Sequence, residues 1–418
     1  MTFSEPANRL QPRLADLTTF HVGGPVREFR QTDTEAEFVA AIRDADQREL
    51  SLLVLGGGSN LVVADGLFDG VVVRDGRSGH PPVRPAGPTP DDQTPNDQTP
   101  DDQTPNDQTP DHQTPNHQPS DHQPSDNKTE GGAPVADGAG VVLVTMVAGQ
   151  DWDQFVAGTI KHGLAGVEAL SGIPGTVGAA PVQNIGAYGQ DVSQSIHSVR
   201  VYDRQTGDIM MFTTPELEFG YRASKLKASM RPGTKYYPTP RYVVLDVTFA
   251  LPQSELSMPI GYAQLATRLG VAVGDRAPLG AVREAVLALR ASKGMLAPVG
   301  EFADDHDRWS AGSFFTNPIL PDAAAAALPT DAPRFQHGSQ TKTSAAWLIE
   351  HAGYTKGYGV HGTESKATLS TKHTLALTNR GTATAQDVAE LARNIRVGVR
   401  DKYGITLEPE PVTVGFTL

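Results

Sequence analysis

Residues 163–192 read GLAGVEALSGIPGTVGAAPVQNIGAYGQDV, and this stretch is the most informative in the chain. Its glycines are too dense for a helix and too irregularly spaced for a strand. Small residues over such a length would let the backbone lie flat against a large planar ligand. Five polar side chains within the stretch could reach the heteroatoms of that ligand: Ser171, Thr176, Gln183, Asn184 and Tyr188. The alternative is a glycine-rich loop that only covers a core.

A second glycine cluster lies further upstream, in LGGGSNLV (residues 55–62). It follows an apolar run, and its three glycines precede Ser59 and Asn60. Consecutive glycines allow several backbone N–H groups to converge into a concavity that suits a pyrophosphate. The turn has neither the Gly-Lys-Ser/Thr of a P-loop nor the GxGxxG spacing of a Rossmann turn. Taken alone, it could also be a plain tight turn.

Short apolar strands and amphipathic helices occur in both halves of the chain. Strands are predicted at residues 52–55, 140–149, 199–202, 208–213 and 242–250. Helices are predicted from Asp151 onward and over residues 279–292, 344–352 and 385–403, with strand material at 405–416. This order indicates an α+β protein of at least two domains.

A repeat with a period of five occupies residues 88–126, in forms such as TPDDQ, TPNDQ, TPDHQ and PSDHQ. Five matches neither the helical period nor the strand period, and the recurring proline removes backbone donors. The segment contains too few apolar residues to offset the entropy of ordering it. We therefore predict a disordered low-complexity insertion at residues 84–133. Three histidines share the spacing of five (His112, His117 and His122), which repeat drift explains more simply than a metal tract; no metal site is predicted.

Composition excludes several classes of function. The chain has 418 residues, 35 Lys+Arg against 48 Asp+Glu, and a formal net charge of −13. A net acidic protein is a poor partner for nucleic acid or an anionic membrane. The absence of cysteine excludes disulfides and thiolate chemistry. No run approaches the roughly 18 apolar residues of a membrane span, so we expect a soluble, cytoplasmic protein.

Other polar residues stand in contexts that suggest a site, although each has a simpler explanation. Arg222 lies among aromatic and small residues but could be a solvated surface arginine. Ser313 follows Gly312 and could be only a turn residue, because no triad pattern surrounds it. Glu410 lies between prolines, where carboxylates are usually solvated. Lys293 and His373 would rank no higher alone, since a lysine at a helix C-terminus interacts favourably with the dipole without any ligand.

Seven segments, taken in order, resemble the UDP-N-acetylenolpyruvoylglucosamine reductase (MurB) family. They are TTFHVGGP (18–25), VLGGGSNLVVAD (54–65), SGIPGTVGAAPVQNIGAYGQDV (171–192), FGYRASKLK (219–227), AGSFFTNP (311–318), SAAWLIEHAGYTKGYGV (344–360) and LEPEPV (407–412). They run from about Thr18 to Phe416 and leave out only the repeat. IPGTVGAAPVQNIGAYG and GSFFTNP are specific motifs, whereas the triple glycine is not.

The resemblance implies a two-lobed FAD-binding region of the vanillyl-alcohol-oxidase (PCMH) type, followed by an α/β substrate-binding domain. We expect an N-terminal arm at residues 1–15, the FAD-binding region at 16–252 and the C-terminal domain at 253–418. The FAD is expected to be non-covalent. The residues expected to bind it are Gly56, Gly57, Gly58, Ser59, Asn60, Ser171, Ile173, Pro174, Gly175, Thr176, Gly178, Ala179, Asn184, Gly186 and Ala187.

The family chemistry implies that NADPH delivers hydride to flavin N5 and that N5 passes it to C3 of the enolpyruvyl UDP-sugar. C2 is then protonated, which completes a step of peptidoglycan synthesis. Arg222, Glu410 and Ser313 match the family residues that hold the developing charge and donate the proton. Four residues match positions expected at the UDP-sugar: Tyr262, Lys293, Asn317 and His373. We expect a monomer whose partners are small molecules.

Two alternatives remain at this point. Another FAD oxidoreductase of the same cofactor fold, such as an aldonolactone oxidase, would need only the N-terminal motifs. The C-terminal contexts of Lys293, Ser313 and Glu410 argue against it. A non-catalytic flavin- or nucleotide-binding relic of the fold is disfavoured by the joint presence of Arg222, Ser313 and Glu410.

Overall fold

The computed structural model describes residues 12–79, 83–85, 140–297 and 300–418. Most of the repeat insertion therefore lies outside the described residues, together with its three histidines. The strands are β1 Val26–Thr32, β2 Ser51–Val54, β3 Leu61–Val63, β4 Phe68–Asp75, β5 Val83–Pro85, β6 Val141–Val147, β7 Gly186–Ala187, β8 Gln190–Asp191, β9 Ile196–Asp203, β10 Ile209–Thr213, β11 Tyr242–Pro252, β12 Ile319–Leu320, β13 Arg334–His337, β14 Gln340–Thr343, β15 Ala367–Leu369, β16 Leu377–Asn379 and β17 Val412–Val414.

The helices are α1 Glu35–Gln47, α2 Trp152–Lys161, α3 Ala180–Gln183, α4 Lys225–Ala228, α5 Ala263–Leu269, α6 Leu279–Ser292, α7 Asp322–Ala326, α8 Ala345–His351 and α9 Ala385–Tyr403. The sequence-predicted helices are confirmed at α2, α6, α8 and α9. Asp151 caps α2 by accepting a hydrogen bond from the Gln154 amide. Within the described residues, no helix combines the length and apolar character needed to cross a bilayer.

The first lobe is a parallel sheet of order β1-β4-β2. Its central strand is buried on both faces at Val71, Val72 and Val73, as expected for a parallel sheet. Helix α1 begins with a capping box between Thr34 and Glu37 and packs Ile42 into a core shared with the second lobe. This shared core joins the two lobes.

The second lobe is an antiparallel sheet of order β10-β9-β11-β6-β5. Strand β11 alternates between buried and less buried residues, and Phe249 packs with Trp152 of α2. Strand β5 pairs with β6 through Pro85 and Val142. The predicted insertion boundary at residue 84 is therefore too early, because Arg84 and Pro85 still belong to the sheet.

The C-terminal half packs α8 and α9 over small antiparallel sheets. Its core also contains Phe20, Val22 and Val62 from the N-terminal part of the chain. Strand β17 pairs in parallel with β3, so the chain end returns to the first lobe. Two expectations are corrected here. Within the predicted strand region 405–416, the strand is confined to β17, and Leu14 of the expected arm is a fully buried core residue.

Candidate active site

A cavity of about 560 Å³ lies where the two lobes and the C-terminal half meet. Its wall contains the triple-glycine turn, the 173–188 part of the second glycine-rich stretch, and residues 310–313 and 410 from the C-terminal half. Elements far apart in the sequence therefore line one space. A mostly apolar cavity with a few polar groups is typical of a cofactor or substrate site.

The triple-glycine turn forms a cradle that no larger residue could form. A Cβ atom on Gly57 would lie 2.7 Å from the Gly175 Cα, and one on Gly58 would lie 2.0 Å from the Leu17 carbonyl oxygen. Gly58 also has φ +63°, a conformation that glycine adopts without strain. Ser59 Oγ donates to the Pro174 carbonyl at 2.7 Å. The two glycine segments are thus held against each other.

The second glycine-rich stretch forms a wall of this cavity between Ile173 and Tyr188. Its backbone is fixed by hydrogen bonds, including Trp152 N to the Gly175 carbonyl at 3.1 Å and Val177 N to the Gln150 carbonyl at 2.9 Å. Backbone groups held in this way, with few side chains in front of them, leave space for a flat ligand.

Two residues predicted to bind the cofactor do not line the cavity. Ser171 is fully buried and donates to the Glu168 carbonyl at 2.7 Å. Asn184 donates to the Gly220 carbonyl at 3.0 Å and accepts from the Ser193 amide at 3.1 Å. Their side chains support the loop from behind because the backbone turns them away from the ligand space. The other predicted cofactor-binding residues all lie in the cavity wall.

Arg222 and Glu410 form an ion pair in this wall, with Nε 2.7 Å from Oε1. The Nε–H is poorly aligned with that oxygen, so the contact is mainly electrostatic. The far side of the guanidinium is anchored, because Nη2 donates to the Gly186 carbonyl at 2.9 Å. Arg222 itself has φ +53°, which is uncommon for a residue with a side chain. The backbone is thus held in a strained form that aims the guanidinium at Glu410.

Burial raises the pKa of the Glu410 carboxyl above its ordinary value, and the charges of Arg222 and Lys227 act in the opposite direction. Burial also raises the pKa of the nearby Tyr221 hydroxyl. Glu410 is therefore a carboxyl whose proton occupancy depends on its neighbours, which is a property of residues that assist proton-coupled chemistry.

Ser313 is brought next to Glu410 by backbone pairing. The Glu410 amide donates to the Phe314 carbonyl at 2.8 Å, and Phe315 forms a bridge with Pro409. Within the described ranges, no hydrogen bond engages the Ser313 hydroxyl, although the residue lines the cavity. Its hydroxyl is therefore available to a bound ligand. The three predicted catalytic residues thus line the same cavity.

The four residues predicted to bind the UDP-sugar also line this cavity. Lys293 Nζ donates to Gln264 Oε1 at 2.9 Å and lies 5.5 Å from the centre of the Tyr188 ring. Tyr262 is 44% exposed and packs edge-on against Tyr188, with ring centres 5.8 Å apart. These contacts form a cationic and aromatic end of the site.

His373 and Asn317 have more constrained surroundings. Burial, with Lys293 and Lys356 nearby, lowers the pKa of His373 to about 4. Asn317 Oδ1 accepts from the Ala345 amide at 2.9 Å, which caps α8. Part of Asn317 therefore has a structural role, and its amide NH₂ group is the part left for a ligand.

Two buried arginines in the cavity wall were not predicted. Arg290 donates through Nε to the Gly172 carbonyl at 3.0 Å, and burial lowers its pKa to about 10. Its position three residues before Lys293 on α6 is a sequence signal that could have revealed it. Arg308 has a side chain only 3% exposed, and its Nη1 has no hydrogen-bond partner. No sequence pattern marked Arg308.

These features fit an anionic dinucleotide. The glycine cradle supplies backbone donors where side chains are sterically excluded. The unpaired Nη1 of Arg308 is a buried donor that requires an acceptor, since an unsatisfied buried donor is costly. A flavin dinucleotide offers both a pyrophosphate and a flat ring system, so the residues present fit FAD.

Comparisons with known proteins identify two families in separate parts of the chain. Residues 140–213 match a family described as FAD binding domain, and residues 304–414 match the C-terminal domain of UDP-N-acetylenolpyruvoylglucosamine reductase. The protein is thus an FAD-dependent oxidoreductase in which a second domain completes the site. The predicted α+β fold with a PCMH-type FAD-binding region is confirmed.

Curated relatives identify the family. A UDP-N-acetylenolpyruvoylglucosamine reductase of Streptomyces avermitilis is 43% identical over 417 residues, which is 97% of this chain and 94% of that protein. One of Thermobifida fusca is 44% identical, with 97% of each chain covered. The crystal structure of the reductase from Thermus caldophilus shares the fold, with a TM-score of 0.54, 24% identity and coverage of 96% and 97%. The chain therefore belongs to the UDP-N-acetylenolpyruvoylglucosamine reductase family.

Proposed function

We propose that this chain catalyses the NADPH-dependent reduction of UDP-N-acetylglucosamine enolpyruvate to UDP-N-acetylmuramate, a step of peptidoglycan synthesis. Family membership supports the overall reaction. The observation that carries the proposal is the convergence of Arg222, Glu410 and Ser313 beside the glycine-rich wall. Bound FAD supplies the redox chemistry, accepting hydride from NADPH and giving it to the enolpyruvyl double bond. The protein residues supply binding, orientation and proton control.

The residues proposed to hold FAD are those of the two glycine segments. The Gly56–Asn60 turn would provide backbone donors to the pyrophosphate, in the cradle where Gly57 faces Gly175. Residues between Ile173 and Ala187 would lie along the ring system. Ser171 and Asn184 would contribute indirectly, by supporting this loop.

Arg222 is proposed to bind the substrate carboxylate. Hydride addition at C3 pushes negative charge onto this carboxylate, so a fixed guanidinium stabilises the transition state more than the ground state. The Gly186 carbonyl holds Nη2 at 2.9 Å, and this anchor limits reorganisation during the reaction. The Arg222 side chain is 20% exposed and lines the cavity, so a bound ligand can reach the guanidinium.

Glu410 is proposed to act next to the same carboxylate. An ionised Glu410 would repel the developing charge, whereas a protonated one can donate a hydrogen bond to it. Burial raises the pKa of this carboxyl, which favours the protonated form. The Arg222 charge opposes that effect. Substrate binding would therefore change the proton occupancy of Glu410, because the substrate carboxylate would pair with the guanidinium.

Ser313 is proposed to give the proton to C2. Its hydroxyl is free of protein hydrogen bonds in the described ranges and faces the cavity. A hydroxyl is a weak acid, so it needs a bound partner that replaces its proton. A substrate group or a water molecule would have to be that partner. General-acid assistance of this kind typically contributes about 10²–10⁴ in rate.

The other end of the cavity is proposed to bind the UDP-sugar. The Lys293 ammonium would neutralise diphosphate charge, and the Tyr262 ring would cover the nucleotide. His373 is proposed as a further contact, and Asn317 would contribute through its amide NH₂ group. NADPH would occupy the same cavity before the substrate, since both would have to reach the one bound flavin.

Three further assignments complete the proposal. We assign residues 16–252 to FAD binding and 253–418 to the substrate domain, although β17 crosses back to pair with β3. We also propose that the protein is a monomer and that it acts in the cytoplasm. The net charge of −13 supports the monomer assignment, because a net charge far from zero disfavours self-association.

The test is anaerobic flavin spectroscopy on the purified protein. NADPH should bleach the bound flavin, and after removal of nucleotide the enolpyruvyl sugar nucleotide should restore its colour as the saturated lactyl product forms. If only oxygen or a lactone restores the colour, the protein is another oxidoreductase on this cofactor fold. A protein that binds no flavin even after FAD is supplied would be a non-catalytic relic.

A further inference from the structure

A half-buried lysine lies behind the Arg222–Glu410 pair and has no role in the mechanism described so far. Lys227 belongs to the short helix α4, whose first turn is capped by Ser224. Lys227 Nζ donates to Gln183 Oε1 at 2.8 Å and to the Arg222 carbonyl at 3.1 Å. It does not line the large cavity. It lines a smaller cavity of about 380 Å³ on the other side of the pair, and Arg222 and Glu410 border both cavities.

The first contact of interest is the one with the Arg222 carbonyl. Arg222 is in the left-handed region at φ +53°, a conformation that costs free energy for a non-glycine residue. Such a residue persists only when its surroundings hold it in place. The Lys227 ammonium binds the carbonyl of this residue, while the guanidinium is held by Gly186. Lys227 therefore fixes the backbone from which the Arg222 guanidinium projects.

The second feature is charge. No carboxylate lies within ion-pair distance of Lys227 among the described residues, and its two partners are neutral oxygens. The ionisable groups facing Glu410 are Arg222, Lys227 and Tyr221. Burial lowers the pKa of Lys227, and the Glu410 charge acts in the opposite direction. Each of the two groups thus influences the charge of the other.

We propose that Lys227 is a positioning residue of the reductase reaction, which holds the Arg222 backbone and sets the proton occupancy of Glu410 from behind the active site. Only the kinetic part of this inference rests on the proposed function. It assigns Lys227 no contact with substrate or cofactor, because the residue lies on the far side of the ion pair. Its effect would reach the reaction through Arg222 and Glu410.

The test compares Lys227→Met with Lys225→Met. Both substitutions remove an ammonium from the same four-residue helix, but Lys225 packs over the Phe212 ring, away from Glu410. In Lys227→Met, reoxidation of the reduced flavin by substrate should slow about tenfold or more, since small misplacements of reacting groups are costly. Reduction by NADPH should stay within about twofold. Lys225→Met should leave both steps unchanged.

The pH profile separates positioning from a general structural role. Loss of the Lys227 charge should raise the apparent pKa of Glu410 by about one unit or more. The part of the reoxidation rate-against-pH curve that reports the titration of Glu410 would therefore move to higher pH. Lys227→Arg should restore that part of the curve, because it restores the charge, even if its geometry leaves the rate low.

An infrared titration of the substrate-free protein provides a readout that does not depend on turnover. The band of a protonated carboxylic acid that disappears in Glu410→Gln reports Glu410 directly. In Lys227→Met this band should persist to higher pH than in the wild type. If Lys227→Met does not fold, Lys227→Gln, which keeps a donor but not the charge, takes its place.

The outcomes are distinguishable. If the reduced flavin of the wild type is never reoxidised by the enolpyruvyl substrate, the proposed function is overturned. The infrared titration would still test the effect of Lys227 on Glu410. An active wild type with Lys227→Met and Lys225→Met alike in rate, pH profile and infrared titration would overturn the inference. Slower reoxidation together with an upward shift of the Glu410 midpoint would support it.

Discussion

Arg222 Nε and Glu410 Oε1 lie 2.7 Å apart, in an ion pair that is not a hydrogen bond. The two residues are 188 positions apart in the sequence and come from different halves of the chain. Both residues line the cavity, so a bound substrate can approach the pair. Its carboxylate would pair with the Arg222 guanidinium, whereas Glu410 could donate a hydrogen bond to it only when protonated. This arrangement leads directly to the first prediction.

Glu410→Gln should slow reoxidation of the reduced flavin by about 10²-fold, because the amide cannot change its protonation as charge develops nearby. Reduction by NADPH should stay within about twofold, since this step does not use the substrate carboxylate. Stopped-flow absorbance resolves the two half-reactions. Glu408→Gln is the matched control, since Glu408 is exposed and only two residues away. Equal rates in the two variants would contradict the role of Glu410.

Ser313→Ala should reduce the reoxidation rate by roughly 10²–10⁴, the usual range for loss of a general acid. Flavin content should not change, because no protein hydrogen bond to the hydroxyl is lost within the described ranges. Rapid mixing in H₂O and D₂O measures the rate and the solvent isotope effect. Ser313→Cys should retain part of the rate because a thiol can also donate a proton. An alanine variant that keeps the full rate would exclude Ser313 as the donor.

Arg308→Met should weaken FAD binding about tenfold, equivalent to ~1.4 kcal/mol. The reason is that Arg308 lies in the wall of the cofactor cavity and its buried Nη1 has no partner within the described residues. Fluorescence titration of the apoprotein with FAD measures the dissociation constant independently of turnover. Arg27→Met, at an exposed pair with Asp69, is the control. Unchanged affinity would show that Nη1 does not meet the cofactor.

His373 should make stability depend on pH. Its pKa is about 4 in the folded protein and 6.5 in the reference state, so the unfolded chain binds more protons between these values. Its stabilising contribution is therefore present above pH 6.5 and lost as pH falls towards 4. We expect it to amount to about 2 kcal/mol after allowance for partial exposure.

Urea unfolding of the apoprotein between pH 4 and 7.5 measures this dependence. His373→Gln should flatten the profile, whereas His197→Gln should follow the wild type, since His197 is exposed on β9. Parallel profiles for wild type and His373→Gln would contradict the assignment. The physical cause is burial near the Lys293 and Lys356 ammonium groups.

Excision of residues 88–126 should leave flavin content and turnover within about twofold. The entropy of closing a loop grows only by about 0.6 kcal/mol per doubling of its length. The excised segment connects β5 and β6, which pair as adjacent antiparallel strands. Flavin absorbance per protein and the steady-state rate measure the two properties. A collapse of either would show that the repeat is a functional element.

Much of the fold could be predicted from local patterns. The buried residues of α9 include Val388, Leu391, Ala392 and Ile395, which is the spacing of one helix face. The bounds of α6 and α9 therefore agree with the sequence prediction. The two glycine motifs were also informative, because only glycine tolerates the close approach seen between Gly57 and Gly175.

Long-range pairing could not be predicted in the same way. Strand β17 pairs with β3 at a sequence separation of 351 positions, as between Val412 and Leu61, and no local period carries that information. The predicted strand region at the C-terminus was therefore too long. The core position of Leu14 has the same origin, since its partners, such as Val72 and Val414, come from distant segments.

At the candidate site, too, some features could be predicted from the sequence and others depend on the tertiary structure. Residue types and motif order were sufficient to identify the glycine cradle, Arg222, Ser313 and Glu410 as candidates, because chemistry depends on which groups are present. Only the tertiary structure turned Ser171 and Asn184 away from the cavity and placed the unpaired Arg308 donor in its wall. Side-chain direction and burial follow from packing between distant segments, which the local sequence does not encode.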